Sequence, residues 1–287
     1  MGLVLSSLGL LLVRGTGRRA DTLSLESVDI GQGDALLLRV PGGDATLIDT
    51  GLGPWAGRRL ARVLSRRGVR EPVHLLITHA HGDHAGGWAT LSRLWPLSTT
   101  SVPVTADDED PWLPYRPSAG EDPTGLLRGD AWPRGAAAFS VRWPARAFAL
   151  PDANMVSAVV RVDWQNRELW LMGDALTIQE RDLMDLGEPG PSPHRLLKAG
   201  HHGSRNASDP AWIAALKPEV VIIPASFRNP FEHPHPETLE TFRHEGLTPW
   251  ITGPSCGIRA SAVAGGWDIE TGDGAAAFTP LRRNPRP

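Results

Sequence analysis

With 287 residues, 41% of them apolar and 21% charged, the chain has the makings of one sizeable α/β or β-rich domain or two small ones, which excludes wholesale disorder and a polytopic membrane protein. Its single cysteine, Cys256, leaves no internal disulfide, no disulfide-linked partner and no thiolate cluster, so any metal must be held by His and carboxylate. A net charge of −3 excludes a chain that is basic over its whole surface.

The first 21 residues form an apolar and basic leader: Leu3 to Val13 is broken only by Ser6, Ser7 and Gly9 and is followed by Arg14, Arg18 and Arg19. A bilayer span needs about 20 apolar residues, so this run is too short to cross alone. It lacks the basic start and the small-residue cleavage site of a secretory signal. A membrane-proximal stub and a disordered or packed leader remain the two readings.

From Thr22 short strands are expected at Thr22 to Val28, Ala35 to Val40 and Ala45 to Ile48, an antiparallel meander with Gly-rich turns. Arg58 to Arg67 reads as a helix with Leu60, Val63 and Leu64 on one face, stopped by Gly68. Arg58, Arg59, Arg62, Arg66, Arg67 and Arg70 give this segment a basic face that is either simply solvated or a phosphate-tracking patch. Val73 to Ile77 is a buried strand running into a His-rich loop. Pro96 to Pro133 holds seven prolines and the acidic run Asp107 to Asp110, which predicts an irregular insert of about residues 96–135, a flap over the site. Trp95, Trp112, Tyr115 and Trp132 in or beside it either stack on unpaired bases or pack the flap onto the body. Strands follow at Ala138 to Arg142, Val156 to Val162, Glu168 to Met172, Arg195 to Ala199 and Glu219 to Ile223. Helices are expected near Leu176 to Leu186, Ala211 to Leu216 and Pro236 to Glu245, and β-hairpins from Trp250 to Phe278. Two packed sheets with helices outside would accommodate this order.

The chemistry is concentrated at three expected strand ends. His79-Ala-His81-Gly-Asp83-His84 sets four potential ligands in six residues. Alternate residues of an extended segment point the same way, so His79 and His81 can share one metal while the turn at Gly82 brings Asp83 and His84 toward a second. Asp174 in Leu-Met-Gly-Asp is either a bridging carboxylate or the cap of the next helix. Lys198-Ala-Gly-His201-His202-Gly-Ser204 again ends a strand in His. Together they predict a two-metal hydrolytic centre, in which two divalent ions lower the pKa of a bridging water and clamp a phosphoryl or carbonyl oxygen.

The His79 to His84 motif, Asp49 in Leu-Ile-Asp-Thr-Gly, Asp174 and His201 resemble the signature of the metallo-β-lactamase fold. More narrowly, Val28-Asp-Ile-Gly-Gln-Gly-Asp-Ala35, His201-His-Gly-Ser204 and His233-Pro-His-Pro236 resemble the hydrolase domain of the ComEC competence proteins, over about Thr22 to Ile258. The resemblance implies an α/β (α+β) four-layer αβ/βα sandwich over residues 22–287, two divalent metal ions (Zn or Mn), DNA as substrate, and a site beside a membrane channel. The location it implies is membrane-associated or extracytoplasmic; without it the chain would be expected in the cytoplasm. The channel domain of that family has no counterpart in this sequence. The fold usually supplies a third His to the first metal from a loop ahead of the bridging Asp, yet no His occurs between Ala85 and Gly173. Asn154 stands where the ComEC-like pattern carries an Asn, and is either an oxygen ligand, which would favour Mn²⁺ or Mg²⁺ over Zn²⁺, or a turn residue at a strand entrance.

The expected ligands are therefore His79, His81, Asp83, His84, Asp174, His201 and Asn154. Asp83, Lys198, His202 and His235 are the candidate catalytic residues, with His235 as a proton donor to the leaving oxygen. Gln32, Asp34 and Asp49 would orient the ligands. Ser204, Arg205 and Asn206, with Lys198 and His202, form a donor set suited to phosphate oxygens, or a loop that caps the helix near Asp209. The favoured activity is a DNA phosphodiesterase linked to DNA uptake. A small-molecule lactone, thioester or phosphodiester hydrolase, or a binding domain whose centre has decayed, are the alternatives.

Overall fold

The computed structural model describes residues 21–106, 110–118, 120, 122–147, 152–192 and 194–272, and the backbone of 279–280. The leader up to residue 20 and most of the acidic run at 107–110 lie outside the described residues.

The expected meander forms from β1 (Ser24–Ser27), β2 (Leu36–Arg39) and β3 (Thr46–Ile48), paired antiparallel. Helix α1 (Gly53–Arg66) crosses to β4 (Val73–Leu76), which runs parallel to β3. After the short α2 (Gly82–Ala85) and α3 (Trp88–Leu94), strands β5 (Leu97–Pro103) and β6 (Thr124–Leu126) extend the sheet in parallel. The second sheet begins with β7 (Ala131–Arg134), β8 (Ala137–Trp143), β9 (Val159–Trp164) and β10 (Arg167–Leu171), all antiparallel neighbours. It continues through α4 (Thr177–Asp185), β11 (His194–Lys198), α5 (Pro210–Leu216), β12 (Val220–Ile223), α6 (Pro236–His244) and β13 (Trp250–Ile251), with β10 to β13 parallel. Past the turn α7 (Thr252–Ser255), the hairpin β14 (Ile258–Val263) and β15 (Gly266–Thr271) returns to pair with β1. With β16 (Thr279–Pro280), the orders are β16-β15-β14-β1-β2-β3-β4-β5-β6 and β13-β12-β11-β10-β9-β8-β7.

Alternation along the strands separates three apolar layers. Leu36, Leu38, Ile48 and Leu76 of the first sheet meet Phe139, Val160, Leu169, Leu171 and Leu196 of the second, making the central core. The intervening Leu37, Leu47 and Leu75 point the other way, onto Leu60, Leu64, Trp88 and Leu91 of α1 and α3. On the far side Trp170, Leu197 and Val221 cover Leu183, Trp212, Ile213 and Phe242 of α4, α5 and α6. The result is the αβ/βα sandwich that the sequence resemblance implies.

Several boundaries depart from expectation for local reasons. Helix α1 starts at Gly53, ahead of Arg58, because Pro54 in its first turn supplies a φ suited to helix and needs no hydrogen-bond partner. Gly57 lets it lie close to the next segment: a Cβ there would meet the Gly87 carbonyl at 2.5 Å and the Leu91 nitrogen at 3.0 Å. Arg58, Arg62 and Arg66 are exposed at four-residue intervals, whereas Arg67 makes a two-point ion pair with Glu26 and so leaves the expected basic face. The Pro-rich stretch is not mostly irregular. Leu97–Pro103, with Thr99, Thr100 and Val102, is a seven-residue strand, and its proline falls at the end, where a missing donor costs little. Trp112 is buried, Trp132 stacks on Phe139 at 5.6 Å, and Trp95 and Tyr115 pack against the α1 and α3 layer, so these aromatics serve packing. The strand expected from Val156 begins at Val159, because Asp152 caps a tight turn over Ala153–Val156. Within the expected C-terminal hairpin region, Thr252–Ser255 is helical and 273–278 lie outside the described residues.

Leu169 sits on the inner face of β10, fully buried between the sheets. Leu169→Ala is expected to lower unfolding free energy by about 2–5 kcal/mol, read from the urea midpoint, through lost transfer energy and an unfilled cavity. An unchanged midpoint would show that the sheets are not tightly packed there.

Candidate metal centre

The chain brings its acidic and His residues to one edge of the sandwich because β3 and β4 in one sheet, and β10, β11 and β12 in the other, all end there. In open sheets the loops past the carboxyl ends of parallel strands are where ligands bind. Asp49 follows β3, His79 to His84 follow β4, Asp174 follows β10, His201 and His202 follow β11, and Pro224 follows β12. Asp174 is delivered by Gly173 at φ 51°, where a Cβ would lie 2.3 Å from Ser157 Oγ and 2.9 Å from Thr78 Cβ. That strand end therefore requires glycine.

Asp174 lies at the centre. Its Oδ1 is 3.2 Å from His84 Nε2, and its Oδ2 is 3.9 Å from His79 Nε2, 3.8 Å from His201 Nε2 and 3.5 Å from His202 Nε2. On one side, His79 Nε2 and His81 Nδ1 face each other at 2.9 Å. On the other, His202 Nε2 lies 3.3 Å from both Asp83 Oδ2 and His84 Nε2. Two triads, His79-His84-Asp174 and Asp83-His84-His202, each present donor atoms within 4.8 Å of one another.

The rings are held from behind. His84 Nδ1 is 2.8 Å from Asp49 Oδ2, and Asp49 also accepts the Thr78 N–H at 2.7 Å and the Thr78 hydroxyl at 2.8 Å. His202 Nδ1 lies 2.8 Å from the Pro224 carbonyl, which directs Nε2 toward Asp174. Ser157 Oγ accepts the Asp174 N–H at 2.8 Å and sits 3.5 Å from His79 Nδ1. Lys198 is fully buried; its ammonium donates to the Gly173 carbonyl at 2.6 Å and pairs with Asp34 Oδ2.

Charge follows from this packing. Burial opposes ionisation of Asp174, but His202 and His84 beside it outweigh burial and hold its carboxyl well below the usual range. Burial likewise opposes charge on His84 and His202, yet Asp174 and the other carboxylates win: His84 is raised well above 6.5 and His202 to about 10. His79 is the reverse case, with burial and the neighbouring His84 keeping it neutral. The raised imidazoles of His84 and His202 thus offset the buried carboxylates around them. Those donors suit a divalent ion, and Asn154 Oδ1 is a further buried oxygen with no hydrogen-bond partner.

Most of the expected residues meet here, with some changes of part. His79, His84, Asp83 and Asp174 converge, and His81 joins through His79. His202, expected to act on the substrate, lies inside the donor set, while His201 stands at its margin with 24% of its side chain exposed. Asp49 and Asp34 lie behind the rings as expected, Asp34 being 3.3 Å from His202 Nδ1. Gln32 instead accepts the Ser226 N–H at 3.3 Å, away from the rings. Lys198 does not reach outward for phosphate, because Asp34 and the Gly173 carbonyl occupy its ammonium. Ser204 is also buried, its Oγ accepting the Asn206 N–H at 3.4 Å, so of that expected donor set only Arg205 and Asn206 are exposed. Asn154 is buried in its turn, with its carbonyl accepting from Gln179 Nε2 at 2.9 Å. His235 stands farther out, its ring 5.0 Å from that of His233. Sequence reasoning missed Thr78 and Ser157, whose hydroxyls carry no motif, and His233, whose ring lies 5.6 Å from His201 and 6.2 Å from His202. The His-Pro-His-Pro run was the available signal for His233.

The profile of the Metallo-beta-lactamase superfamily matches residues 28–226. "Recombination protein 2" of Haemophilus influenzae is 29% identical over 226 residues, covering 76% of this chain and 26% of that protein. "Uncharacterized protein YcaI" of Escherichia coli is 28% identical over 258 residues, covering 88% and 32%. "Competence protein ComA" of Neisseria gonorrhoeae is 26% identical over 220 residues, covering 76% and 29%. The chain thus spans about a third or less of the length of these relatives. No helix among the described residues is long and apolar enough to cross a membrane.

The raised imidazole of His202 has a measurable sign. A proton bound more tightly in the folded chain than at the ordinary value of 6.5 stabilises the fold fully below that value, and the benefit is lost as pH rises toward about 10. Chelator-treated protein is expected to show a falling urea midpoint between about pH 6.5 and 10, and added divalent metal should flatten that slope by displacing the protons. A flat profile without metal would show that His202 is not ion-paired.

Proposed function

The chain belongs to the metallo-β-lactamase superfamily, and on that premise we propose that it is a metal-dependent phosphodiesterase acting on DNA in the course of DNA uptake. The observation that carries the reading is the convergence of His79, His81, Asp83, His84, Asp174 and His202 on one sandwich edge. The names of the relatives, recombination and competence proteins matched over most of this chain, point to DNA as the substrate, and the sequence resemblance implies a site of action beside a membrane channel.

In this reading His79, His81, Asp174 and Asn154 would hold one divalent ion, and Asp83, His84 and His202 a second beside it. Such ions supply Lewis acidity, which activates water and offsets charge on a phosphoryl oxygen. The chain's own residues set the geometry. Asp49 keeps the proton of His84 on Nδ1, and the Pro224 carbonyl keeps that of His202 on Nδ1, so both Nε2 lone pairs face inward. Lys198 offsets the buried Asp34 and so keeps His202 from being drawn backward. His235, half-exposed beyond His233, is the group that returns a proton to the leaving oxygen.

Asp83→Ala is expected to abolish Mn²⁺-dependent cleavage of DNA and to lower bound metal in elemental analysis of the purified protein. Full activity in that variant would end the two-metal reading. Asn154→His should raise the ratio of Zn²⁺-supported to Mn²⁺-supported activity, because imidazole suits Zn²⁺ better than an amide oxygen does. An unchanged ratio would place Asn154 outside the ligand set.

A further inference from the structure

The aromatic side chains that the Pro-rich stretch offered for stacking are packed, but two on one loop beside the donor cluster are not. Phe227 and Phe231, on the loop between β12 and α6, are 71% and 57% exposed. Neither is at the tip of a loose loop. Asn229 Oδ1 accepts the N–H groups of Phe231 at 3.2 Å and His233 at 2.9 Å, and its Nδ2 donates to the carbonyls of Ser226 at 3.2 Å and His233 at 2.6 Å. The Ser226 hydroxyl closes on the Arg228 carbonyl at 3.0 Å, and the Ser226 N–H reaches Gln32. A segment whose backbone is pinned by this much internal bonding presents two large apolar rings to water, which is unfavourable unless something covers them.

The position of the rings identifies the occupant. Phe231 lies nearly parallel to His233, centroids 5.8 Å apart at 27°, and His233 lies nearly parallel to His202, 6.2 Å apart at 28°. The donor cluster is thus joined to solvent by a series of roughly parallel rings whose outermost face is open. The Arg228 guanidinium lies 5.9 Å from the Phe227 centroid, which brings positive charge to the same surface. Flat exposed rings next to a cation match the requirements of an unpaired nucleotide: a π-face for the base and a charge for its phosphate. A paired base buries its faces in the helical stack and could use neither ring.

We propose that the loop from Ser226 to His235, pinned by Asn229, is a base-stacking platform on which Phe227 and Phe231 hold unpaired bases of a nucleic-acid strand beside the metal centre. The inference rests on the DNA phosphodiesterase reading and adds to it a preference for single strands.

The test compares a fluorescently labelled 12-nucleotide oligothymidylate with an abasic strand of equal length, by anisotropy in chelator so that nothing is cleaved. The unaltered protein should bind oligothymidylate more tightly. Phe227→Ala combined with Phe231→Ala should weaken that binding by about 10-fold or more while changing abasic binding little, since each stacked base contributes through its ring alone. Phe231→Trp should retain the preference, and Leu113→Ala, at an exposed leucine outside this loop, should leave both affinities unchanged. Equal affinity of the unaltered protein for the two strands would overturn the platform while leaving a DNA site intact. Binding of neither strand would overturn the DNA reading itself and the platform with it. Retained oligothymidylate binding in the double variant, with loss of binding to vesicles of anionic phospholipid, would overturn the platform in favour of a membrane-contact loop.

Discussion

Three carboxylates, Asp34, Asp49 and Asp174, are almost wholly removed from water at one edge of the sandwich, and the surrounding structure is organised around offsetting their charge. Burying an unpaired carboxylate is prohibitive, so each must find hydrogen bonds or a cation. Asp49 is met by Thr78 and His84, Asp34 by Lys198 and His202, and Asp174 by the surrounding imidazoles, His84 and His202 foremost. Lys198 brings one permanent positive charge, which cannot balance three negative ones. The remainder falls to His84 and His202, whose pKa values are raised for that reason. A site that recruits protons onto imidazoles in order to stay folded is also a site where a divalent ion can take their place.

The same arrangement ties the two sheets together. The first half of the chain supplies His79 to His84 and the second supplies Asp174 and His202, so neither half holds a complete donor set. A backbone bond across the junction, from Ala158 N–H to the Thr78 carbonyl at 2.8 Å, helps fix their mutual position, while Asp34 N–H to the Asp83 carbonyl at 3.1 Å and Thr50 N–H to the His84 carbonyl at 2.6 Å tie the His-rich loop to its own half. The apolar faces of β2, β3 and β4 meet those of β8 to β11 directly beneath. Packing of the central core and assembly of the centre are therefore one event, and side chains far from the edge influence the donors through sheet alignment.

Much of this was legible in the sequence, for reasons that differ by element. Buried strands such as Val220–Ile223, a continuous apolar run, and Val73–Leu76, apolar but for His74, stand out for that reason. The His79 to His84 motif stands out because no packing requirement explains four such side chains in six residues. Elements whose composition sends a mixed signal were harder. In Leu97–Pro103 the surrounding prolines mask a run of β-branched residues, and the turn over Ala153–Val156 is set by the Asp152 cap against the apolar pattern. Within the site, the division between His201 and His202 was not legible at all. It depends on two successive residues at positive φ, 43° and 50°, which turn His202 inward and leave His201 at the margin. Nothing in adjacent identical side chains announces such a twist. Lys198 misled for a related reason: a lysine at a strand end looks available to phosphate until Asp34, more than 160 residues earlier, is seen beneath it.

The segment around Asn154 separates the framing of its turn from the side chain proposed as a ligand. Asn154 and Ser157 belong to one capped turn, held by Asp152 from its start and by Gln179 from α4. Ser157 carries the structural duty, fixing the Asp174 backbone and standing behind His79. The side chain of Asn154 has no such duty, since its Oδ1 accepts no hydrogen bond. Because backbone and hydroxyl position the turn, the identity of the side chain at 154 is free to follow the chemistry of the centre without cost to the frame. If Asn154 is a ligand, as proposed, a buried amide oxygen there in place of a nitrogen would leave the centre richer in oxygen donors, and hard, oxygen-preferring ions would gain relative to softer ones.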